Sequence, residues 1–121
     1  MVAPTVLIVD DHPGFRASAT TLLSAEGWSV VGEAGDGVSA LSAVRALRPS
    51  LVLLDVQLPD MDGFAVCAEL QATCEHPPVV VLTSTREVGA FRRRLAGSAA
   101  VGFVAKADLS GRALLELVDV A

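Results

Sequence analysis

The residues best suited to chemistry are carboxylates that each follow directly on an apolar run. Asp10 and Asp11 come after Val-Leu-Ile-Val at residues 6–9, and Asp55 comes after Leu-Val-Leu-Leu at residues 51–54. Carboxylates gathered in one place repel one another, so a group of them needs a cation. Oxygen ligands with room for water suit Mg²⁺ or Mn²⁺. A carboxylate can also be a covalent nucleophile toward a phosphoryl group.

Two other polar side chains follow apolar runs in the second half of the chain. Thr83 comes after Val-Val-Val-Leu at residues 79–82, and Lys106 comes after Val-Gly-Phe-Val-Ala at residues 101–105. Lys106 is the single lysine beside eight arginines, which indicates a place that requires a compact point charge rather than a planar fork. A divalent ion and a lysine together can neutralise the oxygens of a transferring phosphoryl group.

The elements that must position these side chains are five strands alternating with five helices. Short apolar runs bounded by turn residues predict strands, at residues 5–10, 28–34, 51–55, 79–83 and 101–106. Apolar residues at helical spacing follow each strand. This alternation predicts an α/β fold with a parallel sheet and helices on both faces. We predict one domain over residues 1–121, a doubly wound, flavodoxin-like three-layer sandwich with strand order 2-1-3-4-5.

This strand order determines where the polar side chains meet. The carboxyl ends of parallel strands lie on one edge of the sheet, and the order 2-1-3-4-5 has its switch point between strands 1 and 3. We therefore expect Asp10, Asp11 and Asp55 in one crevice, with Thr83 and Lys106 at the same edge. Asp55 stands between the acids and the Thr/Lys side, so we assign it as the phosphoryl acceptor.

Polar residues in front of the helical stripes predict helix caps. These are Asp36 for the second helix, Ser84 or Thr85 for the fourth and Asp108 for the fifth. The apolar residues expected to face the sheet include Leu22 in the first helix, Val38, Leu41, Val44 and Leu47 in the second, Val88, Phe91 and Leu95 in the fourth, and Leu114, Leu117 and Val118 in the fifth.

Four segments carry a family resemblance. They are Val-Asp-Asp-His-Pro at 9–13, Leu-Leu-Asp-Val-Gln-Leu-Pro-Asp-Met-Asp-Gly at 53–63, Leu-Thr-Ser at 82–84 and Gly-Phe-Val-Ala-Lys at 102–106. In this order and at these spacings, the chain resembles the CheY-like receiver domain of two-component response regulators over essentially its whole length.

The resemblance implies a phosphoryl acceptor and a metal site. A partner histidine kinase would transfer a phosphoryl group to Asp55. Asp11 and Asp55 would be direct Mg²⁺ ligands, with Asp10 acting mainly through water and the backbone carbonyl of Gln57 as a further ligand. His12 is expected to be a loop residue near this site.

The resemblance also implies a switch. Thr83 and Lys106 would each contact a phosphoryl oxygen. Phe103 matches the aromatic residue that swings inward as the threonine moves, which would alter the face formed by the fourth helix, the fifth strand and the fifth helix.

The chain departs from most receivers directly after the lysine, where Ala107 replaces a proline. A cis bond before a non-proline residue costs about 2.5–4 kcal/mol, so we expect a trans Lys106–Ala107 bond. Lysine without proline, with the Asp-Asp-His-Pro opening, is similar to receivers of LuxR/NarL-type transcription regulators, which usually carry a C-terminal helix-turn-helix domain. The expected outputs are transcription through such a domain, or protein–protein interaction by a stand-alone receiver. A phosphorylation-dependent homodimer is a further candidate partner.

Composition limits the other partners. The chain is 52% apolar and 19% charged, as in folded globular domains. A net charge of −5 argues against nucleic-acid or membrane-surface binding by this domain, and no apolar run reaches the roughly 20 residues of a spanning helix. No secretory signal precedes Asp10, so we expect a cytoplasmic protein.

Two other activities could use the same residues. A phosphatase of the haloacid-dehalogenase kind would resemble an Asp-x-Asp motif after the first strand, whereas this chain has Asp10-Asp11-His12. An unphosphorylated binding module would not need the full set of site residues that is present here. We therefore expect no enzyme activity beyond self-phosphorylation and self-dephosphorylation.

Three further patterns are interpreted without a metal site or a nucleic-acid site. The two cysteines, seven residues apart on a predicted helix, are expected to be reduced thiols. A calcium-loop-like set follows a strand rather than a helix, and an arginine run on a helix forms a solvated face. The sets are Cys67, Cys74 and His76, then Asp60, Asp62, Gly63 and Glu69, then Arg92–Arg94.

Overall fold

Five parallel strands form one sheet in the computed structural model, which describes residues 3–119. The strands are β1 (Thr5–Val9), β2 (Ser29–Ala34), β3 (Leu51–Asp55), β4 (Val79–Ser84) and β5 (Gly102–Ala105). Their order is β2-β1-β3-β4-β5, so the predicted topology is confirmed. Val9 of β1 pairs with Leu54 of β3, which brings the next residue of each strand to the same level of the sheet edge.

Five α-helices connect the strands. They are α1 (Pro13–Ala25), α2 (Gly37–Leu47), α3 (Gly63–Thr73), α4 (Arg92–Ala96) and α5 (Gly111–Asp119), with 3₁₀ turns at Val88–Ala90 and Lys106–Asp108. Helices α1 and α5 pack on one face of the sheet, and α2, α3 and α4 pack on the other. Within residues 3–119, no helix is both long and apolar enough to cross a membrane.

Strand β3 belongs to both cores, because all five of its residues are buried. Val52 and Leu54 face the α2–α3–α4 layer, while Leu51 and Leu53 face the α1–α5 layer. Successive residues of a strand point to opposite faces, so an uninterrupted apolar run serves both cores. The run ends at Asp55, whose polar side chain is thereby held at a buried strand end.

Several apolar side chains that were predicted to face the sheet are exposed instead. After Gly37 at the start of α2, the buried positions of the helix are Ala40 and Val44, which are four residues apart and share a face. Val38 comes two residues before Ala40 and therefore lies roughly 200° around the helix from the buried face. At this position the predicted apolar stripe points away from the sheet. In α1 the neighbouring Leu23 takes the fully buried position. The exposed side chains are Leu22 (37%), Val38 (65%), Leu47 (44%) and Val88 (38%).

The predicted fourth helix is wrong in length and in its cap. A 3₁₀ turn and the five-residue α4 replace it, and neither Ser84 nor Thr85 caps either one. Ser84 is the last residue of β4, and its hydroxyl accepts a hydrogen bond from the Arg86 N–H at 3.1 Å. Gly89, which has a low helix propensity, lies in the 3₁₀ turn, and the buried Phe91 joins that turn to α4.

The start of α5 also differs from the prediction. Ser110, rather than Asp108, accepts a hydrogen bond from the Ala113 N–H, at 3.0 Å, because Asp108 belongs to the 3₁₀ turn that follows β5. Two other local predictions are confirmed. Asp36 caps α2 by accepting from the Ser39 N–H at 2.7 Å, and residues 3–119 contain no cis peptide bond, Lys106–Ala107 included.

A polar contact joins α3 to α4. One carboxylate oxygen of Asp62 accepts a hydrogen bond from the Ala65 N–H at 2.8 Å and caps α3, while the other pairs with the guanidinium of Arg94. That guanidinium also lies over the ring of Phe64, 4.3 Å from the ring centroid. Asp62 therefore connects the short α4 to the start of α3.

Replacing Asp62 with Ala should lower the free energy of unfolding by about 1–2 kcal/mol, because the helix cap and an ion pair are lost together. Asp62→Asn keeps an oxygen for the cap and should cost less than about 1 kcal/mol. Urea unfolding measures both. Arg93→Met is the matched control, since Arg93 is exposed and forms no ion pair with the described residues.

The stabilisation of the fold by Asp62 should also depend on pH. Burial raises the pKa of Asp62, but hydrogen bonds from Arg94 and the Ala65 N–H outweigh burial and lower it. A pKa that is lower in the folded state stabilises the fold above the ordinary carboxyl pKa of about 4 and loses that effect as the pH falls below it. The difference between the wild-type protein and Asp62→Asn should therefore shrink in acid, and a constant difference would contradict the assignment.

Candidate functional site

Two carboxylates are buried side by side at the carboxyl edge of the sheet. Asp10 directly follows β1 and has no exposed surface, and Asp55 ends β3 and is 4% exposed. Asp11 and His12 lie beside them at the surface. One oxygen or ring nitrogen from each of these four residues lies within 4.8 Å of the others. The predicted convergence of Asp10, Asp11 and Asp55 is therefore seen.

Lys106 supplies the one ammonium that contacts both buried carboxylates. Its Nζ donates a hydrogen bond to Oδ2 of Asp55 at 3.0 Å and lies 2.5 Å from Oδ2 of Asp10. The lysine side chain is 11% exposed. Oδ2 of Asp10 is buried, and the Lys106 ammonium is its close polar neighbour. One positive charge thus faces two buried negative charges.

The other carboxylate oxygens are fixed by short local contacts. Oδ1 of Asp10 accepts from the His12 N–H at 2.8 Å and lies 3.0 Å from Nδ1 of the same residue. Oδ1 of Asp55 accepts from the Gln57 N–H at 3.0 Å. The guanidinium of Arg16 donates to the backbone carbonyl of Asp10 at 2.7 Å. These contacts set the direction of both carboxylates.

Burial and charge move the pKa values of the two acids in opposite directions. Burial raises the pKa of Asp10, but its contacts with Lys106 and His12 outweigh burial and lower it. Burial also raises the pKa of Asp55, and the Gln57 N–H and Lys106 offset only part of that rise. Burial would lower the pKa of Lys106, but its bonds to the two carboxylates raise it. Asp55 is therefore the buried acid whose negative charge is less well compensated.

The donor set fits a hard divalent cation. Asp10, Asp11 and Asp55 offer carboxylate oxygens within 4.8 Å of one another, and the buried acids Asp10 and Asp55 share the single ammonium of Lys106. Gln57, two residues after Asp55, is exposed beside these carboxylates. Oxygen ligands beside solvent are the environment that Mg²⁺ prefers, because it retains several of its waters.

Thr83 lies beside Asp55 but does not bond to it. The two residues are paired in the register of β3 and β4, yet the Thr83 hydroxyl donates to the backbone carbonyl of Val104 at 2.6 Å. The hydroxyl is thus engaged with β5. Phe103, the residue before Val104, is half-buried, and its ring packs on Phe91 with centroids 5.8 Å apart.

Within the described residues, the cysteine–histidine set and the calcium-loop-like set do not converge on a metal site. Among residues 3–119, the acidic pocket is the one place where three or more potential metal ligands converge. Cys67 and Cys74 are free thiols, and Cys67 is buried. Asp62, from the calcium-loop-like set, caps α3 instead.

One neighbour of the pocket, Phe15, was missed by the sequence analysis, which assigned it no role at the site. The structure places the Phe15 ring over the ammonium of Lys106, 4.5 Å from the centroid. Phe15 lies four residues after Asp11, in the first turn of α1. This spacing was the signal that could have placed its ring near the acids.

Comparison with known proteins gives a consistent result. Residues 6–119 match the family model of the response regulator receiver domain. The chain is 42% identical over 101 residues to the virulence-factor transcription regulator BvgA of Bordetella pertussis, covering 84% of this chain and 48% of BvgA. It is 43% identical over 98 residues to the transcriptional regulatory protein TcrX of Mycobacterium tuberculosis, covering 81% of this chain and 40% of TcrX. The chain spans about half the length of the curated relatives it matches.

A solved structure agrees over the whole chain. The signal receiver domain of the response regulator NarL from Mycobacterium tuberculosis superposes with a TM-score of 0.88 at 33% identity, and the match covers 100% of both chains.

Removing the ammonium should expose the charge imbalance of the pocket. Lys106→Met should lower the free energy of unfolding by about 3–5 kcal/mol at neutral pH, because it leaves two buried carboxylates without their cation. Added MgCl₂ should restore part of this loss. Arg112→Met is the matched control, since its exposed pair with Glu116 is worth less than about 1 kcal/mol. Equal effects of the two substitutions in urea unfolding would contradict this account of the pocket.

Proposed function

The chain belongs to the response regulator receiver domain family, and on that premise we propose that Asp55 accepts a phosphoryl group from the phosphohistidine of a partner histidine kinase. The observation that carries the proposal is the position of Asp55. Its carboxylate ends a buried strand, lies beside Asp10 and accepts a hydrogen bond from Lys106 at 3.0 Å. Its raised pKa marks the less compensated charge of the pair.

The proposed step is a transfer between two nucleophiles. A carboxylate oxygen of Asp55 attacks phosphorus, so that the donor's N–P bond breaks as the new O–P bond forms, and the released imidazole takes a proton from solvent. The ammonium of Lys106 compensates charge on a phosphoryl oxygen as it arrives. Asp10, Asp11, Asp55 and the Gln57 carbonyl would hold a Mg²⁺ or Mn²⁺ ion, which would supply charge neutralisation for the transfer.

We propose Thr83 and Phe103 as the residues that carry the modification to the surface. A phosphoryl group on Asp55 adds strong hydrogen-bond acceptors beside a hydroxyl that now donates to Val104. If the hydroxyl turns to the phosphoryl group, the Val104 carbonyl loses its donor and the adjoining Phe103 ring is free to repack. The face formed by α4, β5 and α5 would then change its population of states.

The output of this switch is inferred from the relatives. BvgA and TcrX are about 2.1 and 2.5 times the length of the matched region and are named as transcription regulators. We propose a transcriptional output through a segment or partner outside this chain, in the cytoplasm, with a phosphorylation-driven dimer as a further step. The net charge of −5 opposes direct nucleic-acid contact by the receiver itself.

Acetyl phosphate and Mg²⁺ test the proposal, since the expected product is a chain heavier by one phosphoryl group. Asp55→Asn should abolish the adduct, and chelation of the metal should suppress it. Asp60→Asn is the matched control, because Asp60 is an exposed carboxylate of the same loop that bonds to the Gly37 and Val38 N–H groups.

Intact mass and acid-quenched peptide mapping give the readout. An adduct that survives in Asp55→Asn, or no adduct in the wild-type protein, would sink the proposal. Steady hydrolysis of small phosphate esters would support a phosphatase instead.

A further inference from the structure

The ring of Phe15 forms one wall around the ammonium of Lys106. Phe15 lies in the first turn of α1 and is half-buried, and its ring centroid is 4.5 Å from Nζ. A cation within about 6 Å of an aromatic face is attracted by the ring quadrupole. The carboxylates of Asp10 and Asp55 contact the same ammonium, so it is held by two anions and one aromatic ring.

The position of Phe15 is itself fixed from the pocket. The next residue, Arg16, donates to the backbone carbonyl of Asp10 at 2.7 Å and to Glu33 at 3.0 Å. These bonds tie the start of α1 to the ends of β1 and β2. The ring is thereby placed over the pocket by neighbours that are independent of Lys106.

Lys106 needs such a holder. It follows β5, which is an edge strand, and it begins a 3₁₀ turn. A lysine side chain has four rotatable bonds and much conformational freedom to lose. A metal ion or a phosphoryl group at the acids would compete with the ammonium for their oxygens. The ring of Phe15 does not take part in that competition and offers the ammonium a separate attraction.

We propose that Phe15 is a positioning residue for phosphoryl transfer, which holds the Lys106 ammonium at the Asp55 carboxylate through a cation–π contact. This inference rests on the proposed function of Asp55. The competing explanation is that Phe15 only packs, since it also contacts the apolar core between the sheet and the α1–α5 layer.

A fluorination series separates the two explanations. Phenylalanine at position 15 is replaced in the full chain by its mono-, di- and trifluorinated analogues, which weaken the quadrupole while nearly keeping the shape of the ring. Phosphorylation of Asp55 by acetyl phosphate with Mg²⁺ is followed by intact mass over a range of donor concentrations. The rate constant at saturating donor should fall with each added fluorine, by about threefold to tenfold over the series, as expected for a partly desolvated cation–π contact. Phe15→Tyr should retain the rate.

The same analogues at Phe64 are the matched control. The guanidinium carbon of Arg94 lies 4.3 Å from the centroid of the Phe64 ring. That ring pairs with an arginine outside the phosphoryl-transfer residues, so its fluorination should leave the rate unchanged. A flat series at position 15, with Phe15→Leu still slow or destabilised, would overturn the proposal and leave packing as the role of the ring. Loss of the Asp55-dependent adduct in the unmodified protein would instead refute the proposed function, so the two failures are distinguishable.

Discussion

Two buried carboxylates share one ammonium, and the rest of the structure depends on that imbalance. Asp10 and Asp55 are nearly inaccessible to solvent, and Lys106 contacts both. Removing charges from water is costly unless they are paired, so two acids that share one ammonium leave a negative charge that a further cation can neutralise. The pKa of Asp10 is lowered and the pKa of Asp55 is raised, as expected when two buried acids share one cation.

The sheet makes this arrangement possible. β1 and β3 are neighbours in register, so the residues that follow their apolar runs reach the same edge, while β3, buried on both faces, holds Asp55 rigidly. The lysine arrives from the edge strand β5, two strands away from β3. Contacts from α1 then complete the pocket, since Arg16 anchors the Asp10 carbonyl and Phe15 covers the ammonium.

The sequence was sufficient to predict the strands, their order and the meeting of the acids with Lys106. Apolar runs that end in polar residues are local signals, and the topology of alternating α/β chains is restricted. The sequence was insufficient where tertiary contacts decide. The Thr83 hydroxyl could donate to several acceptors, and the Val104 carbonyl is chosen only in the folded sheet. The cap of α5 moved from Asp108 to Ser110 because the chain after β5 first makes a 3₁₀ turn.

Calorimetric titration of the chain with MgCl₂ tests the charge imbalance most directly. The account predicts one Mg²⁺ bound per chain, and it predicts that Asp10→Asn, which leaves Asp55 and Lys106 as a balanced pair, weakens binding by at least about tenfold, or about 1.4 kcal/mol. Asp36→Asn, at the cap of α2, should bind as the wild-type protein does. Equal affinity in the Asp10→Asn and wild-type proteins would contradict the account.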